Sequence, residues 1–193
     1  ASGRDRTQSL LPERYLREHF LPPFMHAVEQ NVQAIMVNSS EVNGLPVHAN
    51  HNVLTKLLRG QMKFRGVVVT DWEDVRKLHS LHRIAPTIKE AVRLSVEAGI
   101  DMCMAPDDFH FTDNLIGLAS EGLILEEALD TSVRRILRLK FALGLFENPY
   151  PDPAAAGEIG KEDAHALSRQ AARESLVLLK NNGVLPLSKE SKI

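Results

Sequence analysis

The chain has 193 residues, with 23 lysines and arginines against 25 aspartates and glutamates, for a formal net charge of −2. Apolar residues make up 44% and charged residues 25%, the balance of an ordinary folded domain rather than of a disordered chain. The missing basic surplus argues against nucleic acid as a partner, and no apolar run nears the roughly 18 residues of a membrane span. One cysteine, Cys103, leaves no intrachain disulfide. The opening ASGRDRTQS has neither an initiator methionine nor an apolar signal segment. Both this start and the tail LSKESKI read as cuts from a longer chain.

Residues 12–20 predict a helix with Pro12 at its first position, where a missing N–H does no harm. Pro22 and Pro23 interrupt it, and 24–31 resume it. Residues 34–37 (AIMV), closed by Asn38, Ser39, Ser40 and Glu41, predict a short buried strand. Residues 51–62 place Val53, Leu54, Leu57 and Leu58 on one helical face. The run 66–69 (GVVV) predicts a second strand, rich in β-branched residues, that continues into Thr70, Asp71 and Trp72. A helix over Ile88–Ala98 stops at Gly99, and 100–104 predict a third strand broken by Asp101. The strands start near 34, 67 and 100, and a spacing of roughly 30 residues is that of a βαβ unit. The fold class is therefore α/β with parallel strands, each expected to be covered on both faces. Periodicity alone leaves a barrel segment and an open doubly wound sheet both standing.

Beyond the third strand the chain turns helical, over 115–119 and then over 126–143, where Arg134, Arg135, Arg138 and Lys140 read as a solvated face. The stretch 148–157 (NPYPDPAAAG) has the composition of a semi-rigid linker. Residues 162–180 read as a helix, or a helix followed by a strand. A turn at Asn181, Asn182 and Gly183 follows, then the apolar run 184–187.

The densest chemistry lies in GVVVTDWED, residues 66–74. Asp71 falls at the C-terminal end of a buried parallel strand, the edge at which α/β folds place reacting groups. Trp72 beside it offers a broad apolar face suited to the apolar side of a sugar ring. Glu73 and Asp74 oppose an ionised Asp71 unless cations or hydrogen-bond donors offset them. Two readings of Asp71 stand open here, a nucleophile and an N-cap of the next helix. The loop NSSEVNG, 38–44, lies at the same edge. Glu41 offers a second carboxylate for acid–base work, and Ser39 and Asn43 offer hydrogen bonds; the segment reads equally as a polar loop turning at Asn43 and Gly44. His48/His51 and His79/His82 stand three apart but supply two ligands each, so no metal is expected. Cys103 reads as a small buried hydrophobe. No GxGxxG, P-loop lysine motif or GxSxG elbow supports phosphate cradling or serine-hydrolase chemistry.

Residues 43–74, NGLPVHANHNVLTKLLRGQMKFRGVVVTDWED, resemble glycoside hydrolase family 3, the β-glucosidases and exo-β-glucanases. The match runs through NGLPVHAN and then through Phe64, Gly66, Val68, Thr70, Asp71 and Trp72 of the family's FxGxVxSDW pattern, with Thr70 in place of the commoner serine. It continues in order through AGIDMCM (98–104), SVRRILRLKFALGLFENPY (132–150) and SRQAARESLVLLKNNGVLPL (168–187). The resemblance implies the C-terminal part of a (β/α)8-type barrel over 1–147, a linker over 148–160 and the first elements of an α/β sandwich domain over 161–193. It implies that Asp71 is the catalytic nucleophile and Trp72 a substrate-binding neighbour. Ser39, where some members carry a tyrosine near the sugar, is taken as substrate-binding too. The acid/base glutamate and a lysine–histidine pair of the family fall outside these residues. The implied activity is retaining hydrolysis of a β-linked glucoside or oligosaccharide, with no metal or organic cofactor, in a periplasmic or secreted protein. The chain alone is expected to be inactive and to depend on an oligomer or a complementing fragment. Two rivals are a non-catalytic carbohydrate-binding relative and a self-assembling α/β half-barrel module.

Overall fold

The computed structural model describes residues 6–190. The chain divides into two compact units, Ala1–Glu147 and Asn148–Ile193. Residues 1–5 and 191–193, within the two ends that read as cuts, lie outside the described residues.

In the first unit, β1 (Gln8–Ser9) leads into α1 (Glu13–Tyr15), a wide π turn over Leu16–Phe20, and α2 (Leu21–Glu29). Pro22 and Pro23 do not break this run as expected. They sit in the first turn of α2, directly after the π turn, and the helix runs on past them. After β2 (Ala34–Met36), the loop expected over 38–44 is a small hairpin, β3 (Glu41–Val42) against β4 (Leu45–Pro46). Asn43 (φ 53°) and Gly44 (φ 81°) make its turn, both in the left-handed region that an Asn-Gly pair tolerates. A 3-10 turn, Val47–Ala49, then opens a helix of π pitch over Asn52–Gln61. The apolar face predicted there is present, with Leu54, Leu57 and Leu58 buried.

The central strand is β5 (Val67–Trp72). It is followed by α3 (Asp74–Ser80), whose bounds could not be read from the sequence, and by α4 (Ile88–Ala98). The Thr87 hydroxyl caps α4 by accepting the Glu90 amide at 3.1 Å. Gly99 closes it at φ 116°, where a Cβ would stand 2.7 Å from Thr55 Oγ1. Then come β6 (Met102–Met104), α5 (His110–Ser120) and α6 (Glu126–Ala142). Strands β2, β5 and β6 form a parallel sheet in the order β2-β5-β6, as the repeat spacing predicts. One core cluster sets Val68 and Ile100 against Leu54, Leu58 and Phe64. A second joins Val75 and Leu78 of α3 to Val92 of α4 and Leu118 of α5.

Within this chain one face of the sheet is covered and the other is open. Met36, Val69 and Met102 are register partners on one face. Met36 is 56% exposed and Met102 49%. Val68 and Thr70, on the other face, are fully buried, whereas on the open face of β5 only Val67 at its start is buried. With side chains alternating along a strand, Asp71 shares the parity of Val69 and falls on the open face, at the C-terminal end.

The opposite end of the sheet is closed by a buried charge. Asp101 has no solvent exposure in its side chain. Its Oδ2 accepts from Arg59 Nη2 (2.5 Å) and the Val68 amide (2.9 Å), and its Oδ1 from Ser132 Oγ (2.9 Å) and Arg135 Nη1 (2.7 Å). The residue that breaks the third apolar run thus ties the π helix, β5 and α6 together. Arg135 is not part of a solvated face but one side of this pair.

The second unit begins with a 3-10 turn over Pro153–Glu158, where the Asp152 carboxylate accepts the Ala154 amide at 2.9 Å. It continues with α7 (Glu162–Ser175). Helix ends at Ser175, and the apolar stretch that follows has no ladder partner among the described residues; Leu179 is 92% exposed. The predicted turn is present. Asn181 Oδ1 accepts the amides of Gly183, Val184 and Leu185, each at 3.1 Å.

Candidate active site

Asp71 stands at the C-terminal rim of the parallel sheet, partly open to solvent. Its Oδ2 accepts the Ser39 hydroxyl at 2.6 Å and its Oδ1 accepts the Trp72 amide at 2.6 Å. Ser39 comes from the turn after β2 and is buried, so its hydroxyl is committed to this carboxylate. The Ser39 bond, then the Trp72 amide, push the Asp71 pKa down from the usual carboxylate value, and the charges of Arg6 and Lys77 add to this. Asp71 is ionised at neutral pH.

The charges expected to oppose that state are met by cations. Asp74 Oδ1 is held by Lys77 Nζ at 2.7 Å and faces Arg6 Nη2 at 3.5 Å; Glu73 Oε2 lies 3.4 Å from Arg76 Nη1. Lys77 Nζ also donates to the Trp72 carbonyl at 2.6 Å. The helix-cap reading of Asp71 does not hold. The N-cap position of α3 is Glu73, which makes no side-chain cap bond. Glu73 adopts φ 60° and donates its amide to the Met104 carbonyl at 3.0 Å, so a left-handed residue turns strand into helix. Thr70 is buried beneath, and its Oγ1 accepts the Met104 amide at 2.7 Å, tying β5 to β6 where their register shifts.

Trp72 is 51% exposed beside Asp71. Glu41 is engaged elsewhere, with Oε1 2.7 Å from His82 Nδ1. The paired histidines do not act as pairs: His48 is buried beneath Asp71, whereas His51 is exposed. His79 Nδ1 lies 3.0 Å from the Ala85 carbonyl. Among the described residues no group of three or more His, Cys, Asp or Glu side chains could hold a metal ion. Burial pushes the Cys103 thiol up to about 11, which leaves it protonated. The residues missed by sequence reasoning are His48, Lys77 and Arg6, whose partners at the site lie up to 68 positions away in the chain.

An ionised carboxylate at the rim of a parallel α/β sheet, beside an exposed indole, defines a candidate enzyme of the α/β class. The family model described as "Glycosyl hydrolase family 3 N terminal domain" matches residues 1–139. The chain belongs to glycoside hydrolase family 3, as residues 43–74 led one to expect. It is 47% identical over 191 residues to the lysosomal beta glucosidase of Dictyostelium discoideum, covering 97% of this chain and 23% of that protein. Among solved structures it is similar to the beta-glucosidase of Listeria innocua (TM-score 0.81, 34% identity, 98% of this chain and 26% of the other). It is similar as well to a beta-glucosidase from Erythrobacter marinus (TM-score 0.82, 38% identity, 96% and 25%). The chain therefore spans about a quarter of the length of these relatives.

Proposed function

We propose that these residues carry the nucleophile segment of a retaining β-glycosidase acting on β-linked glucosides. The observation that carries this reading is the Asp71 carboxylate, kept ionised by Ser39 and the Trp72 amide and open at the sheet rim. A lone pair of that carboxylate attacks the anomeric carbon, the bond to the leaving oxygen breaks, and a glycosyl ester forms on Asp71. A second carboxyl group, supplied outside this chain, protonates the leaving oxygen. It then takes a proton from water, which releases the sugar with its configuration kept. Trp72 supplies an apolar platform for the ring, and Ser39 positions the nucleophile. The crystal structure of the Listeria innocua relative in complex with glucose supports a glucoside as substrate.

On this reading 1–147 are the last part of a (β/α)8-type barrel whose interior is the open face of β2, β5 and β6. Residues 148–160 form the linker, and 161–193 begin an α/β sandwich domain. The isolated chain does not turn over, because half of the carboxyl pair is absent from it. The stereochemistry of the first product tests the mechanism. Proton NMR of a β-glucoside digest by the longer enzyme should show the β-anomer of glucose forming first, and initial α-anomer contradicts a double displacement.

Ser39→Ala follows from the same geometry. It removes the largest influence holding the Asp71 pKa down, so that pKa rises. The nucleophile then becomes protonated at higher pH, and the acid limb of kcat/KM moves up. Turnover at neutral pH should fall by up to about 100-fold as the carboxylate loses its fixed orientation. A pH profile with an unmoved acid limb contradicts the role given to Ser39.

A further inference from the structure

His48 is nearly absent from the surface, at 2% exposure, in the 3-10 turn ahead of the π helix. Its Nε2 lies 3.2 Å from the backbone N of Asp71. An amide N–H only donates, so this nitrogen must be the unprotonated one, and Nδ1 carries the hydrogen. Nδ1 faces Asp74 Oδ2 at 3.9 Å, a buried oxygen with no hydrogen-bond partner of its own among the described residues. The other oxygen of Asp74 is held by Lys77, which also grips the Trp72 carbonyl. The backbone is therefore held on both sides of Asp71, by His48 at its amide and by Lys77 at the Trp72 carbonyl.

The ladder explains why a side chain is needed there. The Val67 amide faces β2 and bonds the Gln33 carbonyl at 2.9 Å, and Val37 donates to the Val69 carbonyl at 2.9 Å. Strand β2 ends at Met36, and the Asp71 amide, on the same side of β5 as that of Val67, takes the imidazole instead of a further strand rung.

We propose that His48 is a positioning residue of the glycosidase, an imidazole in the Nδ1–H form that fixes the backbone of the nucleophile by accepting its amide at Nε2. This rests on Asp71 being the nucleophile. The charged and titratable groups around the ring are Asp74, Asp71, Lys77 and His82, the last paired with Glu41. Burial pulls the pKa of His48 down to about 4, so the ring stays neutral in the working range.

The test uses the longer enzyme and compares His48→Leu with His48→Gln, whose amide oxygen can replace Nε2 as acceptor. The leucine variant should lower kcat by about 10- to 100-fold, the scale of a misplaced reacting group, with KM changed by less than about threefold. The glutamine variant should recover most of the loss. Labelling of Asp71 by a 2-fluoro-glucoside is followed in parallel. Unchanged kcat in the leucine variant with Asp71 still labelled overturns the proposal, as does a glutamine variant as slow as the leucine one. If the leucine variant does not fold, His48→Asn replaces it, since its shorter side chain falls short of the amide; equal rates for asparagine and glutamine then overturn the proposal. A parent enzyme labelled somewhere other than Asp71 refutes the nucleophile reading itself, which keeps the two failures apart.

Discussion

Asp71→Asn in the longer enzyme is expected to lower kcat for an aryl β-glucoside by on the order of 10⁴-fold or more, the scale seen when a nucleophile is removed from a working set. The substitution changes almost nothing else. An asparagine has the same shape and leaves the buried neighbours Thr70 and His48 untouched, although its single carbonyl oxygen can accept from Ser39 or from the Trp72 amide but not from both. What is lost is the negative charge and the capacity to form a glycosyl ester. The melting temperature should therefore stay close to that of the parent while turnover collapses. Turnover within tenfold of the parent would reject the nucleophile role of Asp71, and a parent that binds the glucoside without turning it over would favour the non-catalytic, carbohydrate-binding reading.

The second large effect concerns stability. Asp101→Ala should cost about 3–5 kcal/mol, the range for removing one partner from a buried ionic group. The carboxylate takes four hydrogen bonds, from Arg59, the Val68 amide, Ser132 and Arg135, and is wholly enclosed. Without it two guanidinium groups are left with no shared counter-charge, and the Val68 amide loses its acceptor in the core. Asp101→Asn, which keeps an acceptor oxygen, should lose less. Denaturant midpoints of the two variants check this, and an alanine variant within about 0.5 kcal/mol of the parent, the level of an ordinary surface change, contradicts it. Because Asp101 sits at the N-terminal end of the sheet and Asp71 at the C-terminal end, the folded fraction of either variant should keep its chemistry.

Much of the scaffold could be read from the residues. The runs beginning at Ala34 and Gly66 are short, apolar and β-branched, and helical periodicity between them forces a crossover, so parallel strands follow. The run at Ile100 fits the same rule except for Asp101, whose interruption is where the buried ionic cluster forms. Asp71 and Trp72 were legible because a strand of that composition must end somewhere, and a carboxylate at its end is conspicuous. The open face was not legible. GVVV has the same composition whether one side of the sheet is covered or both, and only the exposure of Met36 and Met102 tells them apart. The π pitch of Asn52–Gln61 was hidden for a related reason: the buried leucines at 54, 57 and 58 fit an ordinary helical face as well. The setting of Asp71 was hidden most completely. His48 lies 23 positions from the amide it accepts, and its spacing to His51 carries no sign of that contact. Local periodicity carries no information about such a contact, and only the folded backbone brings the imidazole beneath the strand end.

The central claim is that the Asp71 carboxylate bonds to the sugar. The longer enzyme should be treated with a 2-fluoro-β-glucoside bearing a good leaving group, which forms the glycosyl ester faster than water can remove it. Digestion and peptide mass mapping should then find one fluoroglucosyl adduct, on the peptide containing GVVVTDWED and localised to Asp71. An adduct on any other carboxylate, or full inactivation with Asp71 unmodified, contradicts the account.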